Sequence, residues 1–425
     1  MLPNKRRFRL MLYFVPALLD CITGIFTFIG PVRAAILGYD PLVAGSMVTA
    51  RSLACCLFGL LASRFLSGKN AARLMFFSNV MLIGVCLLGL AAVNLAMLYL
   101  ILALVGVFQV IFFASFQLFM KMVDEDDATP LSRVVGSYTL AWCLGMSFGP
   151  FLTGLLLQIG KIGGGESPGW KYAYLAATLL ALVLLILLGR VVKGGREILA
   201  RRVNAPDPAS PGAEGGRPNL AWLGWSMAFF SLIASGMVRG VFPSEATRAG
   251  MPEWRSGSVM MALSLATGVF AYVLSRRERW MYSGVCLLRL GLLGSAGLLF
   301  FLFPLLAGWE LLDHAWQFYL AALLFGSYTG SAYLYSGFHA LAYPDEAGRN
   351  IALNESCIAG GVILGPLLGG ILAKYYGFYP PFALAALLVS LLGLFQWRAH
   401  GRYPALPAPA RRQSGRIPAA GNFLK

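Results

Sequence analysis

The chain has 425 residues, of which 58% are hydrophobic and only 12% are charged, whereas soluble domains carry roughly 25% charged residues. A chain this apolar could not cover its own surface in water, so a soluble enzyme and a soluble nucleic-acid-binding protein are both excluded. The seven cysteines fall within apolar segments and show no CxxC spacing, which predicts buried thiols without a disulfide framework or a metal site. The composition therefore predicts a polytopic membrane protein.

Apolar segments long enough to cross a bilayer recur along the chain. A membrane-spanning helix needs about 20 mostly apolar residues, and about twelve segments have that length and character. We therefore predict an all-α membrane protein with twelve transmembrane helices. The predicted spans are 10–37, 42–66, 73–93, 95–120, 132–158, 170–192, 219–244, 256–275, 281–305, 314–341, 350–375 and 380–397.

The net charge of +16 is explained by topology, because most of the basic residues fall in loops on one side of the predicted spans. Cytoplasmic loops of membrane proteins carry such an excess of Lys and Arg. With the N-terminus inside, the basic clusters at 5–9 and 190–217 both lie in the cytoplasm. We expect both termini to be cytoplasmic, the membrane to be a bacterial inner membrane, and no nucleic acid to be a partner.

A stretch rich in Pro, Gly and Ala separates the first six spans from the last six and is typical of a flexible linker. The predicted units are a six-helix bundle at 1–194, a cytoplasmic linker at 195–218, a second six-helix bundle at 219–398 and a disordered cytoplasmic tail at 399–425.

The two halves share a glycine-proline pattern. Span five contains GMSFGPFLTG, and a similar pattern follows 216 residues later in span eleven; at a shift of 212, Pro31 matches Pro243 and Gly38 matches Gly250. Each half has an even number of spans, so the matches predict two halves of the same orientation, related by a pseudo-twofold axis along the membrane normal. The residues of the two patterns are Gly145, Gly149, Pro150, Gly154, Gly361, Gly365, Pro366 and Gly370.

Twelve spans in two halves, a central linker and the paired pattern resemble the major facilitator superfamily of secondary transporters, over about residues 8–398. GMSFGPFLTG is similar to the family's motif C, which is often associated with antiporters. Glycines four residues apart let helices approach closely, and Pro150 introduces a kink. Span five would then be a bendable contact between the halves, with ordinary tight packing as the alternative.

Two motifs of that family are incomplete in this chain. Ser63 stands where the loop after span two has an acid in the family, and span four lacks the arginine often tied to proton coupling. Charged residues near the predicted cytoplasmic ends of spans remain as candidates for a gate. They are Arg64, Arg133, Arg349 and Glu355.

The resemblance implies that spans one, four, seven and ten line a central cavity, and all four carry polar side chains at helical spacing. Polar side chains inside a membrane need protein or water partners. The polar stripes therefore favour a shared aqueous cavity, with interhelical hydrogen bonds and tyrosine packing as the alternative. The cavity candidates are Thr23, Thr27, Arg51, Gln109, Gln117, Ser231, Ser235, Arg239, Tyr328, Ser331 and Tyr335.

Asp20 lies about 15 Å past the start of span one, close to the middle of the membrane. An isolated carboxylate there costs at least a few kcal/mol, so it must be paired, hydrated or protonated. We interpret Asp20 as a candidate site for the coupling proton or cation. The alternative is a permanent ion pair with Arg51, which lies at a similar depth on span two and could instead face an anionic group of a substrate.

These features predict secondary active transport of a small organic solute by alternating access, with proton-coupled efflux as the first interpretation. The alternatives are uptake of an organic anion, by symport or facilitated diffusion, and a non-transporting assembly or signalling protein. No GxxxxGK[ST] loop appears and the three histidines are dispersed, so neither direct use of ATP nor an enzyme is predicted. We expect a monomer in the lipid bilayer whose partners are the solute and protons, without a cofactor or metal.

Overall fold

The structure, a computed structural model, describes residues 5–62, 64–67, 70–123, 130–162, 169–202, 219–307, 315–342 and 347–401. These residues form helices and short connections, with no strand among them. The helices are α1 (Lys5–Ile36), α2 (Pro41–Ala62), α3 (Ala71–Gly89), α4 (Leu95–Val123), α5 (Leu131–Ile162), α6 (Gly169–Arg202), α7 (Ala221–Arg248), α8 (Glu253–Leu274), α9 (Gly284–Phe300), α10 (Phe303–Ala307), α11 (Trp316–Leu341), α12 (Ala347–Tyr376) and α13 (Pro380–His400), with a short 3-10 helix at Glu278–Tyr282.

Ten of these helices are long and apolar enough to cross a membrane, namely α1 to α8, α12 and α13. Helix α9 is apolar but has only 17 residues. Helix α11 has 26 residues, and its many glycines, serines and tyrosines lower its hydropathy. Spans one to nine of the sequence analysis are therefore α1 to α9, and spans ten to twelve are α11 to α13. The five-residue α10 is an additional short helix before α11.

Each half of the chain has its own hydrophobic core. Helices α1 to α6 contribute one cluster of buried side chains, and a second cluster comes mainly from α7 to α13. Helix α6 continues to Arg202, so positions 195–202 of the predicted linker are helical. The remainder of that linker, 203–218, and positions 402–425 of the predicted tail lie outside the described residues.

The two halves repeat the same helix contacts. Gly38 and Gly250, which follow the ends of α1 and α7, both have a left-handed backbone, with φ of 80° and 84°. Gly145 on α5 packs against the backbone of Ala17 on α1, and its counterpart Gly361 on α12 packs against Phe229 on α7. A side chain at either glycine would overlap the facing carbonyl group. The glycine-proline pattern thus allows close helix packing at equivalent places in both halves.

We call the end of the molecule where α1 begins and α13 ends the terminal face, and the other end the opposite face. The halves are joined at the opposite face. Lys374 of α12 pairs with Asp40, which precedes α2, at 2.9 Å. Lys161 of α5 pairs with Glu253 of α8, and the Arg248 guanidinium donates to the carbonyl oxygen of Tyr39. These contacts close the opposite face.

At the terminal face, α5 contacts the end of α8 and the segment that follows it. Ser132 donates to Glu278 at 2.8 Å, and Gly136 packs against Ser275. Deeper in the molecule, the side chains of Gln117 on α4 and Glu355 on α12 are exposed. Glu355 is nevertheless surrounded by groups of α2, α5 and α11 that interact with it electrostatically. Groups of both halves therefore surround a space on the terminal side of the centre, which Gln117 and Glu355 reach.

Candidate functional site

Three polar side chains meet at the middle of the N-terminal half. Asp20, Arg51 and Gln109 each occupy the midpoint of their helix, α1, α2 and α4 respectively. The Gln109 amide nitrogen donates to Asp20 Oδ1 at 3.2 Å, while its carbonyl oxygen accepts from the Arg51 guanidinium. Gln109 therefore joins the two charges. The Asp20 side chain is only 4% exposed, so it depends on this network for polar contacts.

A second guanidinium approaches the same level from the C-terminal half. Arg239 Nη2 donates to the hydroxyl of Ser264 at 3.0 Å, and Arg239 Nε donates to the hydroxyl of Ser235 at 3.3 Å. Both serines lie at the midpoints of their helices, α8 and α7. Asp20 interacts electrostatically with both guanidinium groups. Two positive charges and one negative charge therefore share the centre of the molecule.

Aromatic side chains border this centre on the side of the terminal face. Trp142 of α5 packs edge-on against Tyr333 of α11, with ring centroids 5.0 Å apart, so the pair connects the two halves. Tyr333 is close enough to both guanidinium groups to interact with them electrostatically. Beside the pair, Gln117 of α4 donates to the hydroxyl of Tyr138 at 3.2 Å. An apolar, aromatic surface therefore lies between the central charges and the terminal face.

Asp20 and Arg51 occur in only one half of a duplicated scaffold. At the shift of 212 residues, Asp20 corresponds to Leu232 and Arg51 to Leu263. The packing around these positions is nevertheless repeated. Gly106 packs against the Arg51 backbone as Gly326 packs against the Leu263 backbone. Since leucine fills the equivalent places, the packing of this scaffold does not require a charge there.

A hydrogen bond is repeated in the same way. The hydroxyls of Ser46 and Tyr99 pair in the N-terminal half, and those of Ser258 and Tyr319 pair at 2.6 Å in the C-terminal half. This polar contact between helices is therefore duplicated, whereas Asp20 and Arg51 are not.

Several predicted cavity residues satisfy their hydroxyls on their own helix. Thr27 donates to the Thr23 carbonyl oxygen at 3.0 Å, Ser331 donates to the Tyr328 carbonyl oxygen at 2.6 Å, and Ser231 bonds to the preceding turn. Such bonds use the hydroxyl proton within the helix and leave only the oxygen lone pairs for a ligand. These positions belong to the polar stripes of the sequence but contribute no group to the network of Asp20.

Tyr328 and Tyr335 lie in the packed core of the C-terminal half. Tyr328 is 1% exposed and Tyr335 fully buried, and the Tyr335 ring packs against Trp280 and His339. The face of α11 that reaches the centre instead carries Tyr333, which the sequence analysis missed, as it missed Trp142 and Ser264. A rotation of about 100° per residue places Tyr333 roughly 140° from Tyr328 and 160° from Tyr335 around the helix.

The predicted gate residues occupy the terminal half of the molecule. Arg64, Arg133 and Arg349 are exposed near the ends of their helices, and Glu355 reaches the space on the terminal side of the centre described above.

Arg33, at the end of α1, is buried over the Trp170 ring, 4.1 Å from its centroid, so its contacts stabilise the N-terminal half. Among the described residues, no group of His, Cys, Asp and Glu side chains is arranged to hold a metal ion.

Asp40 is one of the acidic residues of the closed opposite face. Burial by itself would raise the pKa of this carboxyl group, but hydrogen bonds from Lys374 and from the backbone N–H of Val43 outweigh that effect and lower the pKa below its usual value. The carboxylate therefore keeps its charge, and its bond to Lys374, throughout the neutral and mildly acidic range.

A sequence model of the Major Facilitator Superfamily matches residues 12–342. Among curated protein sequences, none matches the chain significantly. Two similar solved structures are the human organic anion transporter MFSD10 (TETRAN), with 14% identity, a TM-score of 0.60 and coverage of 93% of this chain and 100% of that one, and a bacterial homologue of the human lysosomal transporter Spinster in an inward-facing, occupied conformation, with 13% identity, a TM-score of 0.64 and coverage of 96% and 100%. At these identities the likeness concerns the fold.

Proposed function

Because the chain belongs to the Major Facilitator Superfamily, we propose that it carries a small organic anion across the membrane by alternating access, with Asp20 as the proton-coupling group. Membership of the family supports membrane transport in general, and the central charges suggest the class of solute and the coupling to protons. The observation that carries the proposal is the convergence of Arg51, Arg239 and Asp20 at one level of the bilayer.

An anionic solute is favoured by the balance of charge. Two guanidinium groups face one carboxylate at the centre, and a guanidinium is suited to bind carboxylate, sulfonate or phosphate oxygens with paired hydrogen bonds. Trp142 and Tyr333 offer an apolar surface for the body of the solute. The structural neighbour MFSD10, a human organic anion transporter, agrees with this class of substrate without establishing it.

Asp20 would couple the anion to a proton. When Asp20 is ionised, it neutralises one of the two guanidinium charges. When it is protonated, both guanidinium groups are available to the anion. Proton binding and anion binding then strengthen each other, and linkage requires that effect to be reciprocal. A proton and an anion that favour the same loaded state are carried together, which corresponds to symport.

This mechanism favours the uptake alternative of the sequence analysis over efflux. An exporter that exchanges solute for protons needs the two to compete for one site, as an organic cation would compete for Asp20. The glycine-proline pattern supports the efflux interpretation by its likeness to motif C. The net positive centre supports symport, because a cation would be repelled by Arg51 and Arg239.

We assign the terminal face to the cytoplasm, because the basic clusters of the sequence lie there. The closed opposite face and the accessible Glu355 then correspond to an inward-facing conformation. Anion and proton would enter from outside in the alternative conformation, and both would leave through the cavity that Glu355 borders. We further propose that one chain suffices, since the site is built from helices of a single chain.

The test is transport by the purified protein in proteoliposomes loaded with the pH indicator pyranine. Aliphatic dicarboxylates, aromatic carboxylates and organosulfonates are added outside, and organic cations are added in parallel. We expect at least one class of anion to acidify the lumen as it enters. Asp20→Asn should still exchange labelled anion across the membrane but should neither acidify the lumen nor accumulate anion against its gradient.

Removing either guanidinium should weaken anion binding. A hydrogen bond to a charged group contributes about 1.5–3 kcal/mol, so Arg51→Gln or Arg239→Gln should raise KM about 10- to 150-fold. Glu197→Gln is the matched control, because this carboxylate is exposed on α6 at the terminal face. Alkalinisation of the lumen by entering cations would favour the efflux mechanism, and the absence of flux for every solute would favour the assembly or signalling alternative.

A further inference from the structure

An apolar groove runs between α1 and α5 on the outside of the helix bundle. It has a volume of about 430 Å³, and its lining is almost entirely apolar. Leu10, Phe14 and Phe148, which line it, are 71%, 53% and 56% exposed. Both helices are apolar and long enough to cross a membrane, so the groove faces the lipid bilayer. None of Asp20, Arg51 and Arg239 lines it.

The length of the groove corresponds to one leaflet. Its lining along α1 extends from Leu10, near the terminal face, to Cys21, next to the midpoint of the helix. That distance is about 16 Å at 1.5 Å per residue, and one leaflet contributes about 15 Å of the hydrocarbon core. The groove therefore ends where the tail of a lipid from that leaflet would end.

The groove does not admit another helix. Its two walls, α1 and α5, meet at Gly145, where a Cβ atom would overlap the Ala17 backbone, so no helix about 10 Å wide can pass between them. A transmembrane helix of a second copy could cover the groove but could not enter it. A single acyl chain is thin enough to enter and flexible enough to follow the uneven lining.

Two exposed arginines stand where the groove meets the terminal face. Arg7 precedes Leu10 by three residues and Phe14 by seven, which places it on the groove side of α1. Arg133 precedes Ser137 by four residues, which places it on the groove side of α5. Both side chains are exposed. Two positive charges at the head of an apolar groove match a lipid with an anionic headgroup.

We propose that this groove, with Arg7 and Arg133, is a binding site for one phospholipid with an anionic headgroup, such as phosphatidylglycerol. One acyl chain lies between α1 and α5, and the phosphate interacts with the two guanidinium groups. The chain would contact Gly145, where α5 packs on α1. Bound lipid would therefore stabilise the contact between these two helices.

Native mass spectrometry of the detergent-purified protein tests this site. Phosphatidylglycerol and phosphatidylcholine with identical acyl chains are titrated, and we expect phosphatidylglycerol to bind at least tenfold more tightly. The double variant Arg7→Gln, Arg133→Gln should bind the two lipids equally. The matched control is Arg196→Gln with Arg277→Gln, which removes two exposed charges from the same face and should leave the preference unchanged.

A second variant tests the groove itself. Ala141→Phe adds a ring to the lining and should weaken the binding of both lipids at least tenfold, while circular dichroism reports whether the protein remains folded. Equal binding of the two lipids by the wild-type protein would overturn the proposal. So would an equal loss of preference in the control pair, or a wild-type dimer that becomes monomeric in Ala141→Phe, since the groove would then bind a second copy. These measurements do not depend on transport.

Discussion

The closed opposite face depends on a glycine whose replacement has a calculable effect. Gly45 of α2 faces the backbone of α12 in the other half. A Cβ atom at this position would lie under 3.0 Å from the carbonyl oxygen of Pro366 and 3.2 Å from the Cα of Gly370. Both neighbours are backbone atoms, so neither can rotate away. Gly45→Ala therefore forces α2 and α12 apart in the closed conformation.

The overlap caused by Gly45→Ala should raise the free energy of the closed conformation only. Overpacking a tight contact typically costs 1–3 kcal/mol, and in the proposed alternating-access cycle the contact of Gly45 would be present only while the opposite face is closed. The higher helix propensity of alanine affects unfolding but not the balance of two conformations in which α2 is helical. We therefore expect Gly45→Ala to shift the ratio of open to closed opposite face about 5- to 150-fold toward open.

Pulsed electron resonance distances between spin labels would measure this ratio. Leu37 and Tyr376 are exposed at the opposite face, one in each half, and suit labelling on a cysteine-free background. Gly84→Ala is the matched control, because a Cβ atom at Gly84 meets nothing within 4 Å. An unchanged distance distribution in Gly45→Ala, or an equal change in Gly84→Ala, would show that the α2–α12 contact does not set the balance.

Three further predictions concern charge and packing. The lowered pKa of Asp40 keeps its carboxylate ionised in the neutral and mildly acidic range, so the change in the closed population that Asp40→Asn causes should be the same at pH 5 and pH 8. Asp40→Asn, which removes the partly exposed pair with Lys374, should change that population by no more than about fivefold. Arg33→Gln removes a buried cation–π contact and should lower the free energy of unfolding by about 1–2 kcal/mol in thermal denaturation. In transport assays, Tyr333→Leu should raise KM about tenfold, a loss typical of a buried aromatic contact, whereas Tyr335→Phe should change it less than twofold.

Hydropathy and the glycine-proline pattern are sufficient to predict the fold. A bilayer requires every spanning segment to be helical and apolar, so the twelve helices follow directly from the sequence. The duplication follows from glycines that must remain small because backbones meet there, as Gly145 and Gly361 do. The extent of α6 is less predictable, because its last two turns are polar and continue the helix beyond the apolar segment.

The central site is predictable only in part, for a physical reason. A charge in a membrane helix needs a partner, so Asp20 and Arg51 could be singled out by type and depth alone. A hydroxyl or phenol has no such requirement, since its own helix or a packed core can satisfy it. Helix α11 carries tyrosines on more than one face, and the sequence does not say which face meets the other half. The pairing of Tyr333 with Trp142 is a contact between halves, which no periodicity within one helix can reveal.

The duplicated contacts and the single-copy charges suggest which parts of the molecule serve the movement of the halves and which serve the binding of the proton and the anion. The backbone contact of Gly45 with Pro366 at the opposite face has its counterpart in that of Gly257 with Pro150, so the surfaces between the halves are nearly symmetric. Symmetric surfaces favour rocking about an axis through the centre, because each half meets an equivalent partner. Asp20 and Arg51 lie at the midpoints of their helices and have leucines as counterparts, so in the proposed mechanism they would move little while the faces open and close. The proton would then stay bound to the N-terminal half. Arg239 reaches the centre from the other half and would respond to the binding of the anion.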